Sequence, residues 1–125
     1  MTLTTARPLF RVAALFNWTA VLLFLPALGI ARAIGIDPVP TGTILEEVGL
    51  LAIFLFGVGY WMAASAPDAH RGILKLGLAG KLGVVAIVGM HFVSSTANLI
   101  WMLVVSGDLL FAVLIILYLR ATRAT

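Results

Sequence analysis

RGILKLGLAGKLGVVAIVGMH, residues Arg71 to His91, is an apolar run with Lys81 at its middle. Gly77, Gly80, Gly83, Ala86 and Gly89 recur at every third position, so small side chains form a strip that winds slowly round one helix and lets neighbouring backbones approach closely. This reads as a central packing helix. Lys81 lies four residues beyond Gly77, about 400° along and therefore about 40° round the helix, so its charge flanks the packing strip. An ammonium in such a place must snorkel, face water or find a partner.

The rest of the chain is of the same kind. Its 125 residues are 62% hydrophobic and 10% charged, with a mean hydropathy of +1.16, whereas a soluble domain carries about a quarter charged residues. The fold class that follows is an all-α membrane protein, a four-transmembrane-helix bundle forming one membrane domain over residues 1–125. Four spans of about 20 residues use most of that length and leave no room for a separate soluble domain. The absence of cysteine excludes disulfides, thiol redox chemistry and cysteine-ligated metals. With only two histidines, no metal site is expected and no cofactor is implied. The pI near 10.0 is, in a membrane protein, an orientation signal before it is a nucleic-acid footprint. The expected partner is the lipid bilayer, not nucleic acid.

Spans are expected at about residues 9–34, 44–64, 71–91 and 98–119. The first run is longer than a signal-peptide core and lacks a small-x-small cleavage pattern, so it reads as a span. Pro26 is expected to bend it. GIDPVPTG, residues 35–42, cannot continue a helix. Thr43 and Glu46 stand at capping-box spacing for the second span, and Ser65 and Asp68 repeat that spacing before the third. Glu47 has no capping role, and with Arg32 across the same loop it is expected to form an ion pair at the outer surface. Tyr60 and Trp61 end the second span as an interfacial belt, unless Tyr60 turns its hydroxyl inward. His70 reads as a solvated loop residue.

Orientation follows from the basic residues. The N-terminus, second loop and C-terminus share one side and hold Arg7, Arg11, Arg71, Lys75, Arg120 and Arg123, against Arg32 in the first loop and none in the third. The positive-inside rule then puts both termini in the cytoplasm. Measured from that side, Tyr60 lies about 8 Å deep, Asn17 and Lys81 about 12 Å and Asp108 about 16 Å. Asn17 is an amide inside hydrocarbon, expected to bond across to another helix, and Asp108 is a carboxylate that needs neutralising, pairing or water. The sharpest structural expectation is an intramembrane Lys81–Asp108 ion pair supported by Asn17 or Tyr60. Such a pair either fixes helix register alone or lines a functional cavity, and a snorkelling Lys81 that ignores Asp108 is the third case.

The pattern G-x-G-Y (Gly57 to Tyr60), Pro67 with His70 and Arg71, G-x-x-G-K (Gly77 to Lys81), and Asp108 followed by Leu-Leu-Phe (to Phe111) resembles a group of small uncharacterised bacterial four-span membrane proteins. The resemblance covers spans two to four and implies a bacterial inner-membrane bundle. It supplies no catalytic residues. The leading expectation is therefore a non-enzymatic bundle with an accessory, assembly or small-ligand-binding role, forming a homo-oligomer through Gly77, Gly80 and Gly83. The alternative is a small transporter or channel subunit using Lys81 and Asp108 in a cavity in the inner half of the membrane. A membrane enzyme or redox-subunit component comes third.

Overall fold

The computed structural model describes residues 3–123. It is all-helical: α1 (Leu3–Phe24), a 3-10 turn (Pro26–Leu28), the short α2 (Ile30–Ala33), α3 (Ile44–Ser65), α4 (Arg71–Val93) and α5 (Leu99–Ala121). Among the described residues, four helices, α1, α3, α4 and α5, are long and apolar enough to cross a membrane.

The first span does not bend at Pro26; it stops. A residue before proline is pushed out of the helical region, and Leu25 is extended at φ −65°, ψ 117°. Gly29 then takes φ 67°, a left-handed turn natural to glycine. The chain beyond it forms α2 as a separate turn of helix, so residues 25–43 form a cap at this end of the bundle instead of lengthening α1. This cap is held down by α5. Asn98 donates its side-chain amide to the Gly35 carbonyl at 2.7 Å and its backbone N–H to the Asp37 carbonyl at 2.9 Å. Trp101 donates its indole N–H to the Pro38 carbonyl at 3.0 Å and stacks on Phe24 with centroids 4.8 Å apart.

α3 begins with the expected cap. The Thr43 hydroxyl accepts from the Glu46 N–H at 3.2 Å, and the Glu46 carboxylate reaches back past the cap to accept from the N–H groups of Thr41 (2.9 Å) and Gly42 (3.0 Å). These bonds satisfy donors that a helix start leaves free. The second expected capping box does not form. Ser65 is the last residue of α3 and donates to the Met62 carbonyl, while α4 starts later, at Arg71, after a turn through Pro67. Asp68 instead accepts from the Tyr118 hydroxyl at 3.0 Å. His70 is not merely solvated. Its Nδ1 meets the Ala66 carbonyl at 2.9 Å, and because a carbonyl only accepts, Nδ1 carries the proton. Arg71 donates to the Thr122 hydroxyl and the Leu119 carbonyl, tying the second loop to the C-terminal turn of α5.

Packing is by pairs. α1 lies along α3, and α4 lies along α5, while α3 and α4 touch over a shorter length. At the end of the bundle where α1 begins and α5 ends, Phe10, Ala13, Ala14, Tyr60, Ala63, Leu74, Ile115 and Tyr118 form one closed core. Three glycines admit aromatic rings there and further along. Trp18 seats on Gly57, Phe16 on Gly107 and Tyr60 on Gly77, each so close that a Cβ would overlap the ring.

The small-residue strip is thus only partly used. Gly77 is buried under Tyr60 within the chain, and it is not available as a seam for a second copy; Gly80, Gly83 and Gly89 have no atom near where a Cβ would stand. Gly77→Ala should therefore destabilise the fold by about 1–3 kcal/mol by forcing the Tyr60 ring aside. Gly83→Ala and Gly89→Ala should leave stability the same or raise it by up to about 1 kcal/mol. Thermal unfolding of the three variants in one detergent checks the contrast, and equal losses at Gly77 and Gly83 would contradict it.

Candidate functional site

Lys81 lies midway along α4, where an apolar helix gives its ammonium no local acceptor. Its partners come from two other helices. Nζ donates to Asp108 Oδ1 on α5 at 2.9 Å and to Asn17 Oδ1 on α1 at 3.1 Å. Asn17 in turn donates its Nδ2 to the Ile53 carbonyl of α3 at 3.1 Å. That settles the orientation of the amide, since an ammonium only donates and a carbonyl only accepts. The chain Asp108–Lys81–Asn17–Ile53 thereby crosses all four spanning helices.

Burial is deep at one end and lighter at the other. Lys81 is 4% exposed and Asn17 7%, whereas the Asp108 side chain keeps 17% of its surface. Three rings surround the ammonium: Phe16, Tyr60 and Phe111 have centroids 5.0, 5.4 and 5.5 Å from Nζ. Each offers its negative face to the cation, a contact that strengthens when water is kept away. Tyr60 therefore joins the site through its ring face, with its hydroxyl over Gly77, and Asn17 is the polar partner.

The expected outer-surface pair of Arg32 and Glu47 does not form. Lys81–Asp108 is the ion pair found among the described residues. Arg32 belongs to α2, which the Pro26 and Gly29 break separates from α1, and it borders a separate cavity with Leu28, Ala31 and Val39. Glu47 points away from the bundle in the first turn of α3. Both side chains are exposed, where an ion pair gains little over hydration.

Beside the Lys81–Asp108 pair lies a cavity of about 450 Å³. The pair and Asn17 form its main polar end, with Tyr60 and Phe16 beside them; Ala20, Leu50, Ile53, Phe56, Val84 and Val105 form its apolar walls, and Phe24, Pro40 and Trp101 its far end, where Glu46 also borders it with its carboxylate bonded to the Thr41 and Gly42 N–H groups. The cavity follows from the packing. Tyr60 on Gly77, with Gly59 close against Ile73, holds α3 and α4 together at one end, and the helices part beyond that point. Gly49 and Ala52 on α3 and Gly80 and Val84 on α4 line the cavity and are exposed. A Cβ on Gly49 or Gly80 would meet open space. The cavity therefore opens sideways between α3 and α4.

Neither Phe16 nor Phe111, the end of the Asp108-Leu-Leu-Phe pattern, is expected from the sequence to face Lys81. Phe111 carried a signal, since it follows Asp108 by three residues and must share its face of the helix; Phe16 had none beyond adjacency to Asn17. His91 is occupied within its own turn, where its Nδ1 meets the Thr96 hydroxyl at 2.8 Å. Among the described residues no group of three or more His, Cys, Asp or Glu side chains converges as a metal site. No protein-family model, curated protein or solved structure matches the chain.

Removing one member of a buried pair strands the other charge, which costs about 3–5 kcal/mol, whereas replacing both by apolar groups is often neutral. Lys81→Met and Asp108→Leu should each destabilise strongly, and the double variant should recover most of that loss. A double-mutant cycle by thermal unfolding in detergent measures the coupling. Additive losses in the double variant would show that the two groups do not act as a unit.

Proposed function

We propose that this protein is a bacterial inner-membrane bundle that binds a small lipid-soluble ligand inside the membrane, without catalysing a reaction. The observation that carries this reading is the cavity of about 450 Å³ that runs from the Lys81–Asp108 pair to Trp101 between apolar walls. A pair serving register alone needs no such space beside it. Pockets for small molecules are of this size and kind, mostly apolar with a few polar groups at one end. Transport would need a second opening on the other side of the pair. There the closed core of Phe10, Tyr60, Leu74, Ile115 and Tyr118 stands, which favours binding over flux.

Orientation belongs to the same reading. Arg7, Arg11, Arg71, Lys75, Arg120 and Arg123 gather at the end where α1 begins and α5 ends, so that end faces the cytoplasm and the cavity's far end faces outward. Because the chain has no cysteine, single cysteines are clean reporters. Val39→Cys in the first loop should react with a membrane-impermeant maleimide in intact cells, and Ala69→Cys in the second loop only after lysis. The reverse pattern would invert the topology.

Binding itself is tested by native mass spectrometry of protein released from mild detergent. Wild type should carry a retained small molecule, and Ala52→Trp or Val84→Trp, which fill the mouth of the cavity, should lose it while unfolding at unchanged temperature. An adduct that persists in both variants, or none in wild type, would defeat the reading.

A further inference from the structure

The polar end of the cavity has a chemistry that restricts what it can receive, and the inference drawn from it rests on the ligand-binding reading above. Asp108 accepts from Lys81 through Oδ1, and Oδ2 accepts no hydrogen bond from the described residues, while its side chain borders the cavity and keeps 17% of its surface. Lys81 also borders the cavity and has given two of its N–H groups to Asp108 and Asn17; an ammonium has three. One partly exposed acceptor, Asp108 Oδ2, and the third N–H of an ammonium bordered by Phe16, Tyr60 and Phe111 thus stand at the end of an apolar chamber.

We infer that the cavity takes an uncharged lipid-soluble alcohol, its hydroxyl lodged against Asp108 and Lys81 and its hydrocarbon lying along the walls toward Trp101. A hydroxyl gives one hydrogen bond and accepts others, so it donates to Asp108 Oδ2 and accepts from Lys81 Nζ. Charged head groups fit poorly. The pair sums to zero charge at 2.9 Å, so a carboxylate gains from Lys81 what it loses to Asp108, and an ammonium the reverse, with the cost of desolvating the ion left over. A bare hydrocarbon chain fits the walls but leaves Oδ2 facing hydrocarbon, which is costly for a carboxylate. The sideways opening between Gly49 and Ala52 of α3 and Gly80 and Val84 of α4 gives access from the bilayer, where such alcohols reside.

The test uses the 125-residue chain in lipid nanodiscs and a diazirine-bearing hexadecanol as photoprobe, with labelled peptides mapped by mass spectrometry. The expected result is saturable labelling of cavity-lining segments of α3, α4 and α5, competed at least about tenfold more effectively by hexadecanol than by hexadecane or palmitate. In the Lys81→Met/Asp108→Leu variant, labelling persists but hexadecane competes as well as the alcohol. Equal competition by hexadecane in wild type, or stronger competition by palmitate, overturns the inference and leaves ligand binding standing. So does an alcohol preference that survives in the double variant. Labelling that none of the three competes for overturns both.

Discussion

An ammonium in the middle of an apolar helix is the constraint on which this structure turns. Lys81 cannot be satisfied by α4, whose own backbone groups are used in the helix, and it cannot be left alone in hydrocarbon. Its two hydrogen bonds go to α5 and α1, and Asn17 extends the chain to α3. One charge therefore links four helices that apolar packing alone would leave free to rotate against one another, because lipid tails are as apolar as the helix faces they would replace. The three surrounding rings add attraction without adding charge.

The same constraint explains where the bundle is tight and where it is open. Ring-on-glycine seats bring helices close: Trp18 on Gly57 joins α1 to α3, Phe16 on Gly107 joins α1 to α5, and Tyr60 on Gly77 joins α3 to α4. No such seat exists further along α4, where Gly80, Gly83 and Gly89 face nothing within reach. The helices separate there, and the cap formed by residues 25–43 closes the space from above through Asn98, Trp101 and Glu46. Tight and open regions meet at Lys81, which is why the polar cluster sits at one end of the cavity.

How far the sequence could be read follows from the range of the forces involved. Lys81, Asp108 and Asn17 were legible because an ionisable or amide group inside an apolar run has few ways to be satisfied, and pairing is the commonest of them. The Thr43–Glu46 cap was legible because it is local. Ser65 and Asp68 had the same spacing, but a tertiary partner, Tyr118, took the carboxylate and the turn through Pro67 delayed the helix. Arg32 and Glu47 misled for a similar reason, as their separation depends on the angle at which the chain leaves Pro26. The glycine period announced close packing without saying which residues would be approached, and although the Lys81–Asp108 pair pointed to a cavity, its extent and its opening had no signature, because an unfilled space between helices is a property of their angles.

For any molecule drawn from the bilayer into this cavity, the usual driving force of binding is missing. Moving a hydrocarbon chain from among lipid tails to a wall of Leu50, Ile53, Phe56 and Val84 removes no apolar surface from water, so the hydrophobic effect contributes almost nothing to the choice. Selection must then come from shape and from the polar end. There the free-energy difference between a matched and an unmatched head group is that of one or two hydrogen bonds to charged partners, about 1.5–3 kcal/mol each. That is enough to distinguish one minor membrane component from the bulk lipid around it, and it comes from the same lysine and aspartate that hold the helices together. In the proposed reading fold and recognition are coupled through a single pair, so a ligand that competes for either group also draws on the bonds that fix the bundle.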